Sequence, residues 1–422
     1  MDKVYFCILL LSCVLVACER TNSVYPLDTP ALLQMYRLSR AWFFQTYGRN
    51  EQRSYSGKTG RVQEEIPSNV PFPCNVTGGR SAKVPDSVNR LRPGDIDVIA
   101  GMGDSLTAGH GLFARDLLES RIENRGASGA IGGERTWRTY LTLPNILKEF
   151  NPNLIGYALG DSQTIEPKSQ LNVAEIGAIS KDMPFMSKHL VDKMKNDSRI
   201  DINRHWKMIS LLFGSNDFCT NICTDPPLSS VERHRTDLVE ALRILRDNLP
   251  RTFVTVNVSP HLKILVDANK ERFSLKCYLL SNLQCPCLFG TQYKNRREEY
   301  YDLISRWQEV EEEVVAYPEF HKNDFTVVAL PTLKRIQLPL AEDGLADPSY
   351  LSSDCFHVSQ KTNALYANGL WNNLLEPVGN KTNHTYPIYE RFLCPTEDRP
   401  FFMTRENSPN NNEFRTSQKK NN

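Results

Sequence analysis

Apolar residues in this chain gather in short blocks, separated by longer stretches where they recur every three or four positions. The blocks "DVIAGMG" (97–103), "LIGYALG" (154–160), "QLNVA" (170–174), "KMISLLFG" (207–214), "TFVTVNVS" (252–259) and "FTVVALP" (325–331) have strand length and end in glycine, serine, alanine or proline. Between and after them, 182–196, 231–249, 297–317 and 363–375 carry helical spacing. A further helix is expected over 28–47, capped by Asp28 or Thr29, with the aromatic run Trp42-Phe43-Phe44 read as packing positions; about 50–70 is polar and loop-like. Strand and helix signals that alternate in this way predict a parallel sheet covered by helices on both faces. Ligand sites in such sheets form at the carboxyl ends of the strands.

The ends of the chain add a compartment to this picture. Lys3 precedes an apolar run from Val4 to Ala17 and then Cys18. The run is shorter than the roughly 20 residues a membrane span requires, so 1–18 reads as a secretory signal. A bacterial lipoprotein signal is the rival, because "LVAC" ends in cysteine. The sequons at Asn75, Asn196, Asn257, Asn380 and Asn383 favour a glycosylated secreted protein instead. Asn257 falls within a strand block, where an acceptor is out of place. The division that follows is a signal at 1–18, a helical and loop extension at 19–69, a main domain at 70–395 and a polar, disordered tail at 396–422. The tail has no apolar stretch, so no stable membrane anchor is expected, and the oligomeric state is left open.

Of the 422 residues, 50 are Lys or Arg and 49 are Asp or Glu, a net charge of +1 that gives nucleic acid no basic stripe to bind. Eleven cysteines less those at 7, 13 and 18 leave an even set, which in a secreted chain means disulfides. Cys219 and Cys223 flank a short loop and are candidates for a local pair; Cys74 and Cys394 are candidates for a staple between the ends. "CPC" at 285–287 has no histidine at zinc-site spacing.

Candidate chemistry sits where the strand blocks end. Ser105 lies between Asp104 and a glycine-rich stretch in "GMGDSLTAGHG"; taken alone it is a nucleophile, a helix N-cap or a tight turn. "NVAEIGA" (172–178), "FGSND" (213–217) and "DCFH" (354–357) lie at similar strand or loop positions. A serine hydroxyl needs a base to take its proton, and His357, with Asp354 three residues before it, has the composition of a base and its orienting acid. "SGAIGGERTW" lacks the lysine of a phosphate-binding P-loop, and Ser105 is not in the G-x-S-x-G setting of ordinary α/β-hydrolases.

Together, "GDSL" at 103–106, N-x-A-x-x-G-A at 172–178, "GSND" at 214–217 and D-x-x-H at 354–357 resemble the four sequence blocks of the GDSL, or SGNH, hydrolases, in that family's order. Further stretches, among them "IGGERTWRTYLTLPNILKEFNPNL" and "LWNNLLEPVG", resemble its animal phospholipase B group. The resemblance implies a flavodoxin-like three-layer α/β/α sandwich and a lipid-ester hydrolase that needs no cofactor and no metal. It implies Ser105 as nucleophile, His357 as base and Asp354 as its partner. The backbone N–H groups of Ser105 and Gly177 and the side-chain amide of Asn216 would form the oxyanion hole. Phospholipids and lysophospholipids are the implied substrates. A small-ester or carbohydrate deacetylase, or a non-catalytic lipid- or glycan-binding relative, are the alternatives. Asp104, Asp217 and His110 are assigned structural roles.

Overall fold

The computed structural model describes residues 58–409 apart from 225 and 273. The expected signal, the expected helix at 28–47 and the polar end from 410 onward lie outside the described residues. Strand β1 (Ile96–Gly103) runs into a one-turn helix, α1 (Ser105–Ala108); then come α2 (Leu143–Phe150) and α3 (Met183–Lys195). β2 (Trp206–Leu212) leads to α4 (Ser215–Thr220) and α5 (Pro227–Asn248), and β3 (Thr252–Asn257) to α6 (Lys263–Glu271), α7 (Leu275–Gln284) and α8 (Pro286–Phe289). α9 (Arg297–Val315), β4 (Phe325–Leu330) and α10 (Gln360–Leu375) complete the order.

The strands form one parallel sheet in the order β1-β2-β3-β4. Strands buried on both faces must be apolar at successive positions, and every residue of β2 and β3 is buried. Their side chains alternate between two cores. Val98, Ala100, Ile209, Leu211, Val254 and Val256 pack with α3, α5 and α9 residues such as Leu190, Leu242 and Val310. Ile99, Met208, Phe253 and Val328 point the other way, toward Ile146 of α2 and Leu370 and Trp371 of α10. Helices on both faces of a parallel sheet are the three-layer arrangement expected from the sequence.

Two expected strands take a different form. The blocks at 154–160 and 170–174 meet β1 only as single bridges, Val98 to Ile155 and Gly101 to Asn172. Both lie on the edge of β1 away from β2, in succession. The Ile155 amide donates to Asp97 O (3.0 Å), and further along the Val173 amide donates to Gly101 O (2.9 Å). The polar, proline-containing "GDSQTIEPKS" between them has no strand periodicity, so the chain leaves the edge and returns instead of laddering continuously.

Among the described residues there are four disulfides: Cys74–Cys394, Cys219–Cys285, Cys223–Cys287 and Cys277–Cys355. The first is the expected staple. The local Cys219–Cys223 pair is corrected: both cysteines reach across to α8 and its preceding residue. Asn257 is 1 % exposed, with its amide nitrogen donating to Ser210 Oγ (2.7 Å) and Leu211 O (2.9 Å), so this sequon is closed to modification in the fold. The packed chain also extends beyond the expected 70–395. Gln63 is buried and bonds Gln360, and Phe402 is buried with its amide donating to Leu91 O. Among the described residues no helix is long and apolar enough to cross a membrane.

Candidate active site

β1 ends at Gly103, where a Cβ would lie 2.4 Å from Thr107 Oγ1 and 2.6 Å from Leu212 O; glycine lets the chain turn sharply into α1 there. Asp104 is the N-cap, its carboxylate accepting from the Leu106 amide (2.9 Å), which is the structural role expected of it. Burial pushes the Asp104 carboxyl up to about 6, against the lowering effects of the Leu106 amide and His357. Ser105 is thereby the first residue of α1, at the carboxyl end of β1.

The loop before α10 supplies the partners. His357 Nε2 is 2.9 Å from Ser105 Oγ, and His357 Nδ1 is 2.6 Å from Asp354 Oδ2. The other carboxylate oxygen of Asp354 accepts from the amides of Phe356 (3.1 Å) and His357 (3.0 Å), which fixes its plane. Burial acts to raise the Asp354 carboxyl, but the adjoining His357, with His110 behind it, outweighs this and holds it well below the usual carboxylate range. All three side chains are buried. An imidazole bonded to a hydroxyl on one nitrogen and to a carboxylate on the other can take a proton from that hydroxyl and be stabilised as an imidazolium.

Asn216, near the start of α4 after β2, lines the same cavity as Ser105 and His357, and its Nδ2 donates to Ala178 O (2.9 Å). Gly177 has φ +72°, a conformation that favours glycine, in a loop held beside the end of β1 by the Glu175 amide donating to Gly103 O (3.0 Å). Gly177 is not among the residues that line the cavity. Apart from its polar floor, the cavity is walled by aliphatic and aromatic side chains, among them Leu106, Leu262, Ile264, Leu338, Leu351 and Phe356.

Two buried polar webs brace these segments, and the motif reading did not find their key members. Arg125, fully buried, bonds Glu123 (2.5 Å), Asn172 Oδ1 (3.0 Å), Thr164 Oγ1 (2.9 Å) and Ala174 O (2.8 Å). Asn172 in turn donates to Thr107 O in α1 (3.0 Å). On the other side, Asp217 Oδ2 accepts from Ser180 N (3.0 Å) and Ser180 Oγ (3.2 Å). Ser180 Oγ is also 2.8 Å from Nδ1 of His234, whose ring stacks on Trp307 at 4.0 Å. Burial pushes the Asp217 carboxyl up to about 8. His110 lies with its ring 4.4 Å from that of His357, edge on. No pattern in the sequence marks Arg125; His110, five residues after Ser105 in "GHG", was visible but indistinguishable from a structural histidine.

His110, Asp354 and His357 form the one group among the described residues with ligand atoms close enough, within 4.8 Å, to hold a metal ion. Both ring nitrogens of His357 already face Asp354 and Ser105, so a metal there would displace the serine contact.

A buried serine–histidine–aspartate chain at the carboxyl edge of a parallel sheet, opening into an apolar cavity, marks an α/β protein whose site has the arrangement needed for acyl transfer through a serine. The chain belongs to the GDSL-like lipase/acylhydrolase family, whose sequence model matches residues 99–370. It is 36% identical over 335 residues to the human protein "Phospholipase B1, membrane-associated" and 39% identical over 333 residues to that of Rattus norvegicus. These alignments cover 78% of this chain but only 23% and 22% of those proteins, so the chain spans less than a quarter of the length of the relatives it matches. A structural likeness to the phospholipase A1 of Streptomyces albidoflavus NA297 has 13% identity and a TM-score of 0.29, covering 65% of this chain and 98% of that one.

Proposed function

We propose that the protein is a secreted serine hydrolase that releases fatty acids from phospholipids and lysophospholipids through an acyl-serine intermediate. The observation that carries the reading is the continuous chain from Ser105 Oγ through His357 to Asp354, opening on an apolar cavity. Ser105 attacks the ester carbonyl while His357 takes its proton. The oxyanion is met by the N–H groups of Ser105 and Gly177 and the amide of Asn216. His357 then protonates the leaving alcohol, and water activated by the same imidazole frees the fatty acid.

The lipid part of the reading is supported by the aliphatic walls beside Ser105, which suit a long acyl chain better than an acetyl group. It is supported also by the naming of the human and rat relatives as phospholipase B1. Secretion is supported by the four disulfides, a density that belongs to oxidising compartments. The test is fatty-acid release from lysophosphatidylcholine and phosphatidylcholine by the purified protein beside Ser105→Ala. The expected result is release by the parent and its loss by about 1,000-fold or more in the variant, with unfolding unchanged. Serine-dependent cleavage of acetyl esters alone would move the substrate to small esters. Equal activity in parent and variant would overturn the mechanism.

A further inference from the structure

α7 inverts the usual pattern of a surface helix. Leu275, Leu279 and Leu283 stand at four-residue intervals, which at about 100° per residue places them on a single arc of roughly 80°. These leucines are 64%, 58% and 74% exposed, whereas the fully buried side chain of the helix is the polar Ser281. Scattered exposed leucines are ordinary; an aligned stripe on one helix marks an interaction surface.

The stripe is bolted to the catalytic loop. The Cys277–Cys355 disulfide joins α7 to the residue between Asp354 and Phe356. Lys276 Nζ donates to Ser353 O (2.9 Å) and Gln284 Nε2 to Asp354 O (3.5 Å), so both ends of the helix hold the same few residues. Arg272, just before α7, donates to Ala346 O (2.6 Å) and so ties it to the segment carrying Leu338, which lines the cavity, and Leu340, which is 66% exposed. The helix, the residues around Asp354 and the segment that carries Leu338 are therefore held together beside the site.

Charge selects the occupant. From Arg272 to Arg297 the sequence has no Asp or Glu; Arg272 is ion-paired with Asp343 and Arg296 with Glu299, and Lys276, Lys294 and Arg297 supply the remaining positive charge. An apolar arc in a basic frame matches acyl chains beneath a layer of phosphates. A second copy of the same face would oppose like charges.

We propose that the Leu275–Leu279–Leu283 face of α7, continued by Leu340, is the surface on which the protein seats itself on a phospholipid aggregate, with the Ser105 cavity held at the interface. The inference rests on the lipid-ester reading of the site, and vesicle binding tests it separately from hydrolysis. The full chain carrying Ser105→Ala is floated with vesicles of phosphatidylcholine and phosphatidylglycerol, beside the same chain with Leu275→Ser, Leu279→Ser and Leu283→Ser added. The three serines are expected to weaken vesicle binding by at least about tenfold, since each removes a buried aliphatic side chain from the interface. In the chain that keeps Ser105, the same serines should leave kcat/KM on a water-soluble short-chain ester within about twofold, since no reacting group is touched.

Equal flotation of the two proteins, or a parent that does not float, overturns the proposal. So does a parent dimer that the serines make monomeric while flotation stays unchanged. If the triple variant loses activity on the soluble ester through misfolding, Leu283→Ser alone, at the most exposed position, decides: a drop in binding supports the surface and no drop overturns it. A chain that keeps Ser105 and binds vesicles without hydrolysing their lipids would sink the substrate reading and leave the docking surface standing.

Discussion

Asp217 carries a buried carboxyl whose ionisation the fold disfavours, and that makes a quantitative stability prediction. Its carboxylate faces Ser180, with His234 and Glu311 further along the same web and Asp182 adding a like charge. Burial moves the group from 3.8 to about 8. Below the unfolded-state value, folded and unfolded chains both hold the proton and pH has no leverage. Between the two values the folded chain keeps a proton that the unfolded chain releases, so stability falls as pH rises, at about 1.4 kcal/mol per unit. Above the folded-state value both forms are ionised and the loss is complete. Asp217→Asn mimics the protonated acid, keeps an oxygen to accept from Ser180, and does not titrate. The difference in unfolding free energy, variant minus parent, should therefore rise with pH, by about 3 kcal/mol between about pH 5 and pH 7, and level off above about pH 8. Urea unfolding of both proteins, disulfides intact, at matched pH values reads this difference directly, and other titrating groups cancel in the subtraction. A difference that stays flat from about pH 5 to pH 9 would refute the assignment of a buried, protonated carboxyl.

Asn216→Ala removes one donor from the proposed oxyanion hole and is expected to lower kcat by about 100- to 1,000-fold with little change in KM; steady-state kinetics on a soluble ester checks it. Arg125→Ala removes the buried guanidinium that is ion-paired with Glu123 and should cost about 3–5 kcal/mol, measured by the shift in the urea midpoint. Replacing Cys277 and Cys355 by serine opens a loop spanning 78 residues and is expected to cost about 4 kcal/mol on the chain-entropy account, read by non-reducing thermal unfolding.

The parts of the fold that were legible in the sequence are those whose residues answer to one local rule. β1, β2, β3 and β4 announce themselves because a strand covered on both faces must be largely apolar at successive positions, and "DVIAGMG", "KMISLLFG", "TFVTVNVS" and "FTVVALP" are, with buried exceptions such as Lys207, Ser210, Thr255 and Asn257. The short blocks at 154–160 and 170–174 look the same over a few residues. Whether they ladder is decided by the polar excursion between them and by the free edge of β1. Ser105, Asp354 and His357 were legible as a serine, a base and an acid at a strand end and a loop, but their roles, and Asn216 and Gly177 altogether, came from the resemblance of four sequence blocks to the GDSL family. The cysteine pairing was not legible: Cys219 and Cys223 are close in sequence, but helix α4 and the turn after it direct them both to the region of α8. Arg125 and His234 escaped for a related reason. Their importance comes from partners such as Ala174 and Trp307, 49 and 73 residues away, which no local pattern reports.

The same two webs explain how a site can be rigid where the chain has little regular structure. The segment from Asn172 to Ser180 carries Gly177, a proposed oxyanion donor, but forms no named strand and no α-helix. Arg125 binds its beginning through Asn172 and Ala174, and Asp217 binds its end through Ser180. Asn216, adjacent to Asp217, then closes onto Ala178 O between these anchors. The backbone N–H of Gly177 and the side chain of Asn216 are thus fixed relative to each other by side-chain bonds, where most α/β sites rely on ladder and helix bonds. Preorganised donors stabilise charge because they need no reorientation as it develops. Loosening either web therefore acts on the transition state more than on ground-state binding, and substitutions in the webs should lower kcat before they alter KM.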